Sequence, residues 1–273
     1  MTSQKLTGHF LSGLTIVLAL VFFFPIFWMF LTSFKTEVDA FVFPPLLTFQ
    51  PTLDNYRIAL LESKYFEQLW NTVVITGLST LAALVLGVPA AYSLAFYPGK
   101  RSEFTLMWMM STRMLPPVGI IIPLYVIFRS LSLFDTHGGM IILFTAMNLP
   151  LVVWMMHSFL SDVPYEILEA ARIDGVNLWQ EFRSVILPLA LPGLMATILL
   201  CFIFTWNEFF LAFNMTITKA APLSVFIASF KTSEGLFWAK MSAAATITAL
   251  PVVIAGWAAQ HQLVRGLTAG AVK

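Results

Sequence analysis

The sequence contains few charged residues for its length. Of its 273 residues only 11% are charged, whereas 59% are hydrophobic, and a soluble domain of this size would be about a quarter charged. The chain has one cysteine, Cys201, which excludes an intrachain disulfide. The net charge is only +1, and basic residues are not interleaved with aromatics, which argues against a nucleic-acid partner. These deficits are typical of a membrane protein with several spans.

The usual signatures of catalysis are also missing. A phosphate-binding loop has the pattern G-x-x-x-x-G-K-[ST]. In this sequence the pair Gly99–Lys100 is followed by Arg101 and not by Ser or Thr, and Leu94 occupies the position of the first glycine. The four histidines are scattered without the spacing of metal ligands. We therefore predict that the chain is not an enzyme, that it binds no metal or other cofactor, and that it cannot hydrolyse ATP by that route.

Long apolar runs fill most of the chain, which has room for about six spans of ~20 residues with modest loops. The predicted fold class is an all-α membrane protein with six transmembrane helices in one domain, residues 1–273. The six predicted spans are residues 10–32, 69–96, 104–128, 138–159, 187–213 and 241–264. Prolines 116, 117 and 123 interrupt the third span. Because broken backbone at membrane depth needs protein or water around it, we expect this span to face the interior of an assembly.

One connection between spans, residues 162–188, has the features of folded structure. Its sequence is DVPYEILEAARIDGVNLWQEFRSVILP. Asp162 is predicted to cap a helix that has Pro164 in its first turn, and Gly175 to take the left-handed conformation that ends it. Asn177, with Gln180 three residues later, predicts a second helix N-cap.

The charged residues of this connection predict an element that faces water and is presented to another protein. They are Asp162, Glu166, Glu169, Arg172, Asp174, Glu181 and Arg183.

This connection also carries a resemblance to a known family. Glu169-Ala-Ala171, Gly175 and Leu187-Pro188 resemble the signature E-A-A-x3-G-x9-I-x-L-P of the membrane subunits of binding-protein-dependent ABC importers, with Val185 in place of the isoleucine. The chain is most similar to carbohydrate-importer permeases of the maltose-permease type. The resemblance implies the type I ABC importer permease fold, with residues 162–188 as a cytoplasmic coupling-helix loop. The residues it implies for coupling to the ATPase are Glu169, Ala170, Ala171, Asp174, Gly175, Leu187 and Pro188.

The same resemblance implies a membrane complex. Its other members would be a second, homologous permease subunit, two copies of an ABC ATPase that carry the ATP and magnesium, and an extracytoplasmic solute-binding protein. The chain would lie in the bacterial inner membrane with both termini in the cytoplasm. The distribution of lysine and arginine between the loops does not decide this orientation by itself.

The substrate expected from the resemblance is a sugar or polyol. Residues 112–117 (TRMLPP), 148–150 (NLP) and 234–240 (EGLFWAK) resemble the polyol branch of the family, which takes up mannitol or sorbitol. A disaccharide such as trehalose or maltose, or glycerol phosphate, remains an alternative.

Two residues that are charged at neutral pH fall within predicted spans. Arg113 lies in the third span, and Glu208 follows Asn207 in the fifth. A charge at the bilayer centre costs several kcal/mol unless it is paired or wetted. The three residues are therefore candidates for the translocation pathway, with Arg113 as a partner for Glu208, and a structural network between helices is the alternative. A secondary transporter with its own ion site, or a subunit that serves assembly alone, are the rival functions.

Overall fold

The computed structural model describes residues 2–232 and 235–269, with the side chains of residues 11–231 and 236–260. In chain order the elements are α1 (Thr2–Thr32), α2 (Glu37–Phe41), α3 (Asp54–Leu61), α4 (Tyr65–Phe96), α5 (Ser102–Arg113), α6 (Pro117–Ser130), α7 (His137–Ser161), α8 (Tyr165–Ile173), α9 (Leu178–Gln180), a π-helical turn (Glu181–Ile186), α10 (Leu187–Leu189), α11 (Leu191–Trp206), α12 (Phe210–Met215), α13 (Leu223–Ala228), β1 (Lys231–Thr232), β2 (Gly235–Leu236) and α14 (Trp238–Ala269).

The predicted all-α membrane fold is confirmed. Among the described residues four stretches are long and apolar enough to cross a membrane as single helices: Leu11–Thr32, Tyr65–Phe96, His137–Ser161 and Trp238–Gln260. Two bent pairs of helices, α5 with α6 at 89° and Leu178–Leu189 with α11 at 76°, bring the number to six if each pair is one span. The strands β1 and β2 pair antiparallel over two residues each and do not change the fold class.

The third predicted span, 104–128, is two helices and not one irregular helix. α5 ends at Arg113 and α6 begins at Pro117. Pro116 is extended, with φ −62° and ψ 124°. This is expected because Pro117 follows it, and proline disfavours the α conformation in the residue before it. The interruption that the prolines predicted in the third span is therefore a sharp bend between two helices.

The fifth predicted span, 187–213, is also broken. A first break lies at Ala190, just before Pro192, which has no N–H for a helical hydrogen bond. A second break separates α11 from α12 at residues 207–209. Here the Glu208 carboxylate accepts hydrogen bonds from the backbone N–H groups of Leu211 and Ala212 at 2.9 and 3.0 Å. In a continuous helix these N–H groups would donate to backbone carbonyls of the preceding turn. Here the side chain accepts the hydrogen bonds instead.

Internal packing divides the chain into two compact units, and the expectation of a single domain stays a prediction. The first unit contains the residues up to Phe66 and Phe226–Leu250. Within it the Glu37 carboxylate accepts hydrogen bonds from the N–H groups of Ala239 and Lys240, both at 3.0 Å, and so caps the start of α14. The most apolar part of α1 contains no buried residue.

The second unit contains Glu67–Val225 and the residues from Pro251 onward. Its central element is α7, which has 25 residues and is therefore about 37 Å long at 1.5 Å per residue. α4 approaches α7 closely at Gly87, where an added Cβ would lie 2.6 Å from Val152 Cγ1. One buried apolar cluster surrounds the C-terminal half of α7, including Met156 and Leu160, and another surrounds its N-terminal half, including Met140 and Phe144.

Candidate functional site

The loop 162–188, here called the coupling loop, follows the C-terminal end of α7 as a short helix, a tight turn and a second helical segment. α8 ends at Ile173, and Gly175 in the turn that follows has a φ of +82°, as the sequence predicted; only glycine takes this conformation at little cost. The predicted capping box is also confirmed. Asn177 Oδ1 accepts from the N–H of Gln180 at 3.0 Å, and Gln180 Oε1 accepts from the N–H of Asn177 at 3.1 Å.

The predicted cap at Asp162 is wrong. α8 begins at Tyr165, and the residue before it is Pro164, which makes no side-chain cap hydrogen bond. Asp162 instead is the residue that ends α7. The reason is that Val163 N–H bonds to the carbonyl of Leu160, so the chain turns out of α7 before the second helix starts.

The loop is not water-facing throughout, because Glu181 is completely buried and paired with Arg172. Arg172 Nε donates to Glu181 Oε2 at 2.6 Å, and its Nη2 donates to Oε1 at 3.1 Å. The Glu181 side chain is 0% exposed and the Arg172 side chain 32%. A carboxylate buried in this way needs an opposite charge and hydrogen bonds to offset its lost hydration, and the two-point contact with the guanidinium provides both.

Two tyrosines at the end of α4 join this pair. Tyr92 donates its hydroxyl proton to Glu181, and Tyr97 accepts from Arg172 Nη2 at 2.6 Å. Tyr165, in the first turn of α8, accepts from Arg172 Nη1 at 3.0 Å. The bonds with Glu181 and Tyr165 raise the pKa of Arg172 further above its usual value, so this side chain stays charged. The network connects α4, α8 and the π-helical turn.

The underside of the coupling loop packs on the membrane helices. Leu168 is 0% exposed, and with Ile186 it belongs to the buried cluster that contains Leu160 of α7 and Phe96 of α4. Ala171 is also buried. A movement of the coupling loop therefore has to displace the ends of α4 and α7 with it, because close-packed interiors transmit strain.

The outer surface of the coupling loop is apolar or small at several positions. Ile173 is 85% exposed, Trp179 65% and Leu178 62%, and Glu169, Ala170 and Asp174 lie exposed among them. Exposed apolar side chains grouped on a rigid element with a polar rim mark a protein interaction site. Of the seven predicted coupling residues, Glu169, Ala170, Asp174, Gly175 and Pro188 are exposed, Leu187 is half-buried and Ala171 is buried.

The pair Arg172–Glu181 and its tyrosines were missed by the sequence analysis. Arg172 and Glu181 are nine residues apart, which is not a spacing that brings two side chains together on one helix. The N-cap pattern indicated only that two helices are joined by a turn. The π-helical turn that starts at Glu181 has no sequence signature that we could use. An available signal was the position of Glu181 beside Phe182 in a segment that leads into a span.

The pathway candidates lie in the second unit, near the break between α11 and α12. The Glu208 carboxylate caps α12, as described above, and the backbone carbonyl of Glu208 accepts from Ser224 Oγ at 2.7 Å. Asn207 ends α11 and donates to the carbonyl of Ile203 at 2.8 Å. Both residues are thus part of the hydrogen bonding that holds the broken helix.

Arg113 does not form the expected ion pair with Glu208. Its Nη1 donates to the carbonyl of Met147 at 2.9 Å, and its guanidinium carbon lies 4.8 Å from the centre of the Phe204 ring. In the described part of the chain the ion pairs are Arg57–Glu62 and Arg172–Glu181. Arg113 and Glu208 nevertheless line the same cleft of about 20 Å³, which is room for about one water molecule.

The first two stretches of the polyol resemblance meet at this cleft. Arg113 comes from residues 112–117, and Asn148, from residues 148–150, also lines it. Asn148 is buried and donates from Nδ2 to Thr205 Oγ1 at 2.7 Å. The third stretch, 234–240, begins outside the described residues. Within those residues no group of three or more His, Cys, Asp or Glu side chains could hold a metal ion.

Residues 83–268, which include the coupling loop and the cleft, match the family model described as "binding-protein-dependent transport system inner membrane component". The chain belongs to this family. It is therefore a transport component of the inner membrane that crosses the bilayer several times.

Curated relatives match along nearly the whole chain. The probable ABC transporter permease protein y4oR of Sinorhizobium fredii is 36% identical over 94% of this chain and 92% of its own length. The trehalose transport system permease protein SugB of Mycobacterium tuberculosis is 36% identical over 91% and 92%. The diacetylchitobiose uptake system permease protein DasC of Streptomyces coelicolor is 32% identical over 99% of both chains.

Solved structures agree on the fold. A chain of a bacterial ABC transporter that imports the acidic polysaccharide alginate superposes with a TM-score of 0.77 at 24% identity, over 96% of this chain and 98% of that one. A chain of the MetNI methionine ABC transporter in an inward-facing conformation gives a TM-score of 0.61 over 74% and 95%. The permease fold of type I ABC importers is therefore shown.

Proposed function

We propose that this chain is one of two permease subunits of an ATP-driven, binding-protein-dependent importer for a sugar or polyol. The other members would be a homologous permease, two copies of a separate ATPase that bind ATP and magnesium, and an extracytoplasmic solute-binding protein. The coupling loop would face the cytoplasm together with both termini, of which the C-terminal residues 270–273 lie outside the described part of the chain. The chain itself would make and break no covalent bond.

The observation that carries this proposal is the construction of the coupling loop. Its outer surface presents Ile173, Leu178 and Trp179 to solvent. Its underside is hydrogen-bonded to the end of α4 through Arg172 and Glu181 and packs against α7 through the buried cluster described above. An apolar surface is suited to a groove on a partner protein, and a rigid base is suited to transmitting the partner's movement. Closure of the ATPase dimer would thus shift α4 and α7 and switch the cavity between inward- and outward-facing.

The pathway assignment for Arg113, Asn207 and Glu208 rests on the break in the fifth span. Non-helical backbone at membrane depth occurs where it is buried in protein or lines a water-filled cavity. Asn207 and Glu208 lie at such a break, and Arg113, at the end of α5, lines one cleft with Glu208. The structural alternative is favoured by the hydrogen bonds of Glu208 to the start of α12. The two roles predict different outcomes when Glu208 is replaced, as set out in the Discussion.

The chemical class of the substrate has two candidates. A polyol such as mannitol or sorbitol is supported by the sequence resemblance of residues 112–117 and 148–150, which converge on the cleft. A disaccharide is supported by relatives that are named for trehalose and for diacetylchitobiose. Glycerol phosphate is the remaining alternative.

The proposal is tested by purifying the tagged chain in mild detergent from its native membrane and measuring ATP hydrolysis by the eluate. We expect an ATPase and a second permease to co-purify, and both the ATPase and its activity to be lost when Glu169 and Gly175 are replaced. The binding protein encoded beside the permease is then titrated with polyols and with disaccharides. A chain that elutes alone and moves solute without ATP would contradict the proposal and support an ion-coupled transporter.

A further inference from the structure

The helical segment that leads from the coupling loop into the fifth span changes its hydrogen-bond register twice. Glu181 N–H bonds to a carbonyl four residues earlier, at 2.8 Å. Leu187 N–H instead bonds to the carbonyl of Phe182, five residues earlier. Ala190 N–H again bonds to a carbonyl four residues earlier, at 2.9 Å. The π-helical turn Glu181–Ile186 therefore holds one residue more than an α-helical path between the same two ends would.

This turn directly precedes Pro188. Proline has no N–H, and in an α-helix its ring clashes with the carbonyl of the residue four positions earlier, which here is Ser184. A turn whose hydrogen bonds join residues five apart does not require the Ser184 carbonyl to point at the ring of Pro188. Pro188 thus disfavours the α-helical alternative to the turn.

The register of the turn decides where Glu181 points. Successive residues of an α-helix lie about 100° apart around its axis, because 3.6 residues make one turn. If the whole segment were α-helical, its extra residue would turn Glu181 by about this angle relative to the fifth span. The carboxylate would then leave Arg172 and the hydroxyl of Tyr92, to which it is now bonded. The buried pair and the π-helical turn therefore depend on the same register.

The two ends of the turn are held differently. Ile186 is buried in the same cluster as Leu160 of α7, so the end next to the fifth span is fixed by packing. Glu181, at the other end, is held by its hydrogen bonds to side chains. Pro188 and Ser184 are exposed. The influence of Pro188 on Glu181 thus passes through the backbone between them.

We propose that Pro188 is a positioning residue for coupling: it holds the π-helical turn in the register that places Glu181 on Arg172, and so keeps the coupling loop bonded to α4. This inference rests on the proposed function, because coupling has a meaning only in an ATP-driven importer. It differs from the role that the family resemblance implies for Pro188, which is contact with the ATPase. Here Pro188 acts within its own chain.

The first test is Pro188→Ala in the complete importer in proteoliposomes, with solute uptake and ATP hydrolysis measured together. Alanine supplies the missing N–H and favours the α-helical register, so we expect a severalfold fall in solute transported per ATP hydrolysed. Pro164→Ala is the matched control and should couple normally. Pro164 is an exposed proline of the same loop that directly precedes α8, where a missing N–H costs little.

Removal of one residue provides a rescue. Deletion of Ser184 from the Pro188→Ala variant takes the extra residue out of the turn, so that an α-helical segment returns Glu181 to its original angle. We expect the ratio of transport to hydrolysis to recover most of its normal value. A role of Pro188 as a contact for the ATPase predicts no recovery, because the deletion brings back no proline. Absence of recovery in an assembled complex would overturn the proposal.

A double-mutant cycle gives a second test that needs no deletion. Pro188→Ala is added to the variant Arg172→Met, Glu181→Gln, in which the pair carries no charge. If Pro188 acts through this pair, the addition should lower the transport ratio no further, because changes that act through one contact are not additive. Losses that add in full would show that Pro188 acts elsewhere, and normal coupling by Pro188→Ala alone would contradict the proposal as well.

The register can also be observed without transport. In a cryo-electron-microscopy map of the purified Pro188→Ala protein, with an antibody fragment bound if the chain elutes alone, Leu187 N–H should bond to the carbonyl of Arg183, and Glu181 should lie away from Arg172. An unchanged π-helical turn would overturn the proposal. Because this measurement needs no ATPase, it separates failure of this inference from failure of the proposed function, which would appear as an unmodified protein that hydrolyses no ATP.

Discussion

The two ends of α7 are secured by different kinds of hydrogen bond. At the C-terminal end, side chains bond to side chains: Arg172 and Glu181 connect the coupling loop with two tyrosines of α4. At the N-terminal end, Asp135 accepts from four consecutive backbone N–H groups of one loop. Side-chain networks join separate elements and make them move together, whereas a carboxylate on main-chain groups fixes the local shape of a single loop.

This difference fits two roles. In the proposed importer the coupling loop has to transmit movement to several helices, and it is hydrogen-bonded to the end of α4 and packed against α7. The loop 216–223 has its backbone fixed by Asp135, which stabilises its local shape. The comparison predicts that variants at the coupling end disturb the link between hydrolysis and transport, and that variants at the other end disturb local stability.

The largest effect is expected for Gly175→Asp. This change places a side chain at a φ of +82° and adds a charge to the turn of the coupling loop. We expect the protein to remain in the membrane with ATP-driven uptake abolished, as measured in proteoliposomes of equal protein content. Ser184→Asp, an exposed position of the same loop, is the control and should transport normally.

Gly175→Asn separates the two causes of this effect. Asparagine and aspartate are nearly equal in size, and both tolerate the left-handed conformation better than other side chains. An added Cβ meets no atom within 4 Å, so space does not limit either residue. Uptake retained by Gly175→Asn would assign the loss to charge, and uptake lost in both variants would assign it to the backbone. Normal uptake by Gly175→Asp would contradict the role of the coupling loop.

A severalfold loss of coupling is expected for Arg172→Ala. The change leaves the fully buried Glu181 without its counter-charge, which is strongly unfavourable for a buried pair, and releases α8 from Tyr97. We expect a lower Tm of the complex and fewer solute molecules transported per ATP hydrolysed. The double variant Arg172→Met, Glu181→Gln removes both charges. It should recover Tm more than coupling, and equal recovery of both would show that the pair has a structural role only.

Replacement of Glu208 tests the cleft, which belongs to neither end of α7. Glu208→Gln keeps an oxygen that can accept from Leu211 or Ala212, and Glu208→Ala removes both acceptors and should destabilise α12 by about 1 kcal/mol, as for a lost helix cap. Transport lost by Glu208→Gln in an intact complex would support the pathway role. Loss of assembly in Glu208→Ala, with normal transport by Glu208→Gln, would support the structural role.

The smallest effect on transport is expected for Asp135→Asn. Burial acts to raise the pKa of Asp135, but the hydrogen bonds from Ile217, Ala220, Lys219 and Thr218 outweigh it and hold this pKa below its usual range. The charged form therefore stabilises the fold above about pH 4, and this contribution is lost as the pH falls through the lowered pKa of the folded state. We expect Asp135→Asn to lower the free energy of unfolding by about 1–3 kcal/mol at pH 7.

The pH dependence provides the check on this prediction. The difference in Tm between the unmodified chain and Asp135→Asn should be constant from pH 8 to about pH 5 and should shrink at lower pH, where the carboxylate becomes protonated. A difference that persists unchanged at pH 3 would contradict the assigned role of the charge.

Local signals in the sequence predicted local structure well. Gly175 and the pair Asn177–Gln180 have conformations that depend on neighbouring residues only, and both predictions are confirmed. The signature around Glu169 indicated the family, which residues 83–268 match. The seven coupling residues and the three pathway residues stay predictions, because contact with an ATPase or a solute is a property of the complex.

Features that depend on tertiary contact escaped the sequence analysis. The burial of Glu181 depends on Tyr92, which lies 89 residues away in the sequence. The prolines indicated the interruption of the third span, but its division into two helices at 89° and the two breaks of the fifth span were not predicted, because hydropathy averages over such positions. The hydrogen bonds of Asp135 could not be predicted, because the sequence does not show that residues 217–220 lie beside it.

The central claim is that the coupling loop contacts the ATPase, and cysteine cross-linking tests it most directly. Cys201 is the only cysteine in the sequence and is buried, so Ile173→Cys or Thr218→Cys gives this chain a single accessible thiol, at one or the other end of α7. Each variant is labelled with a photoactivatable maleimide in the purified complex. The account predicts a cross-link from residue 173 to the ATPase and none from residue 218. A cross-link to the ATPase from residue 218 alone would contradict it.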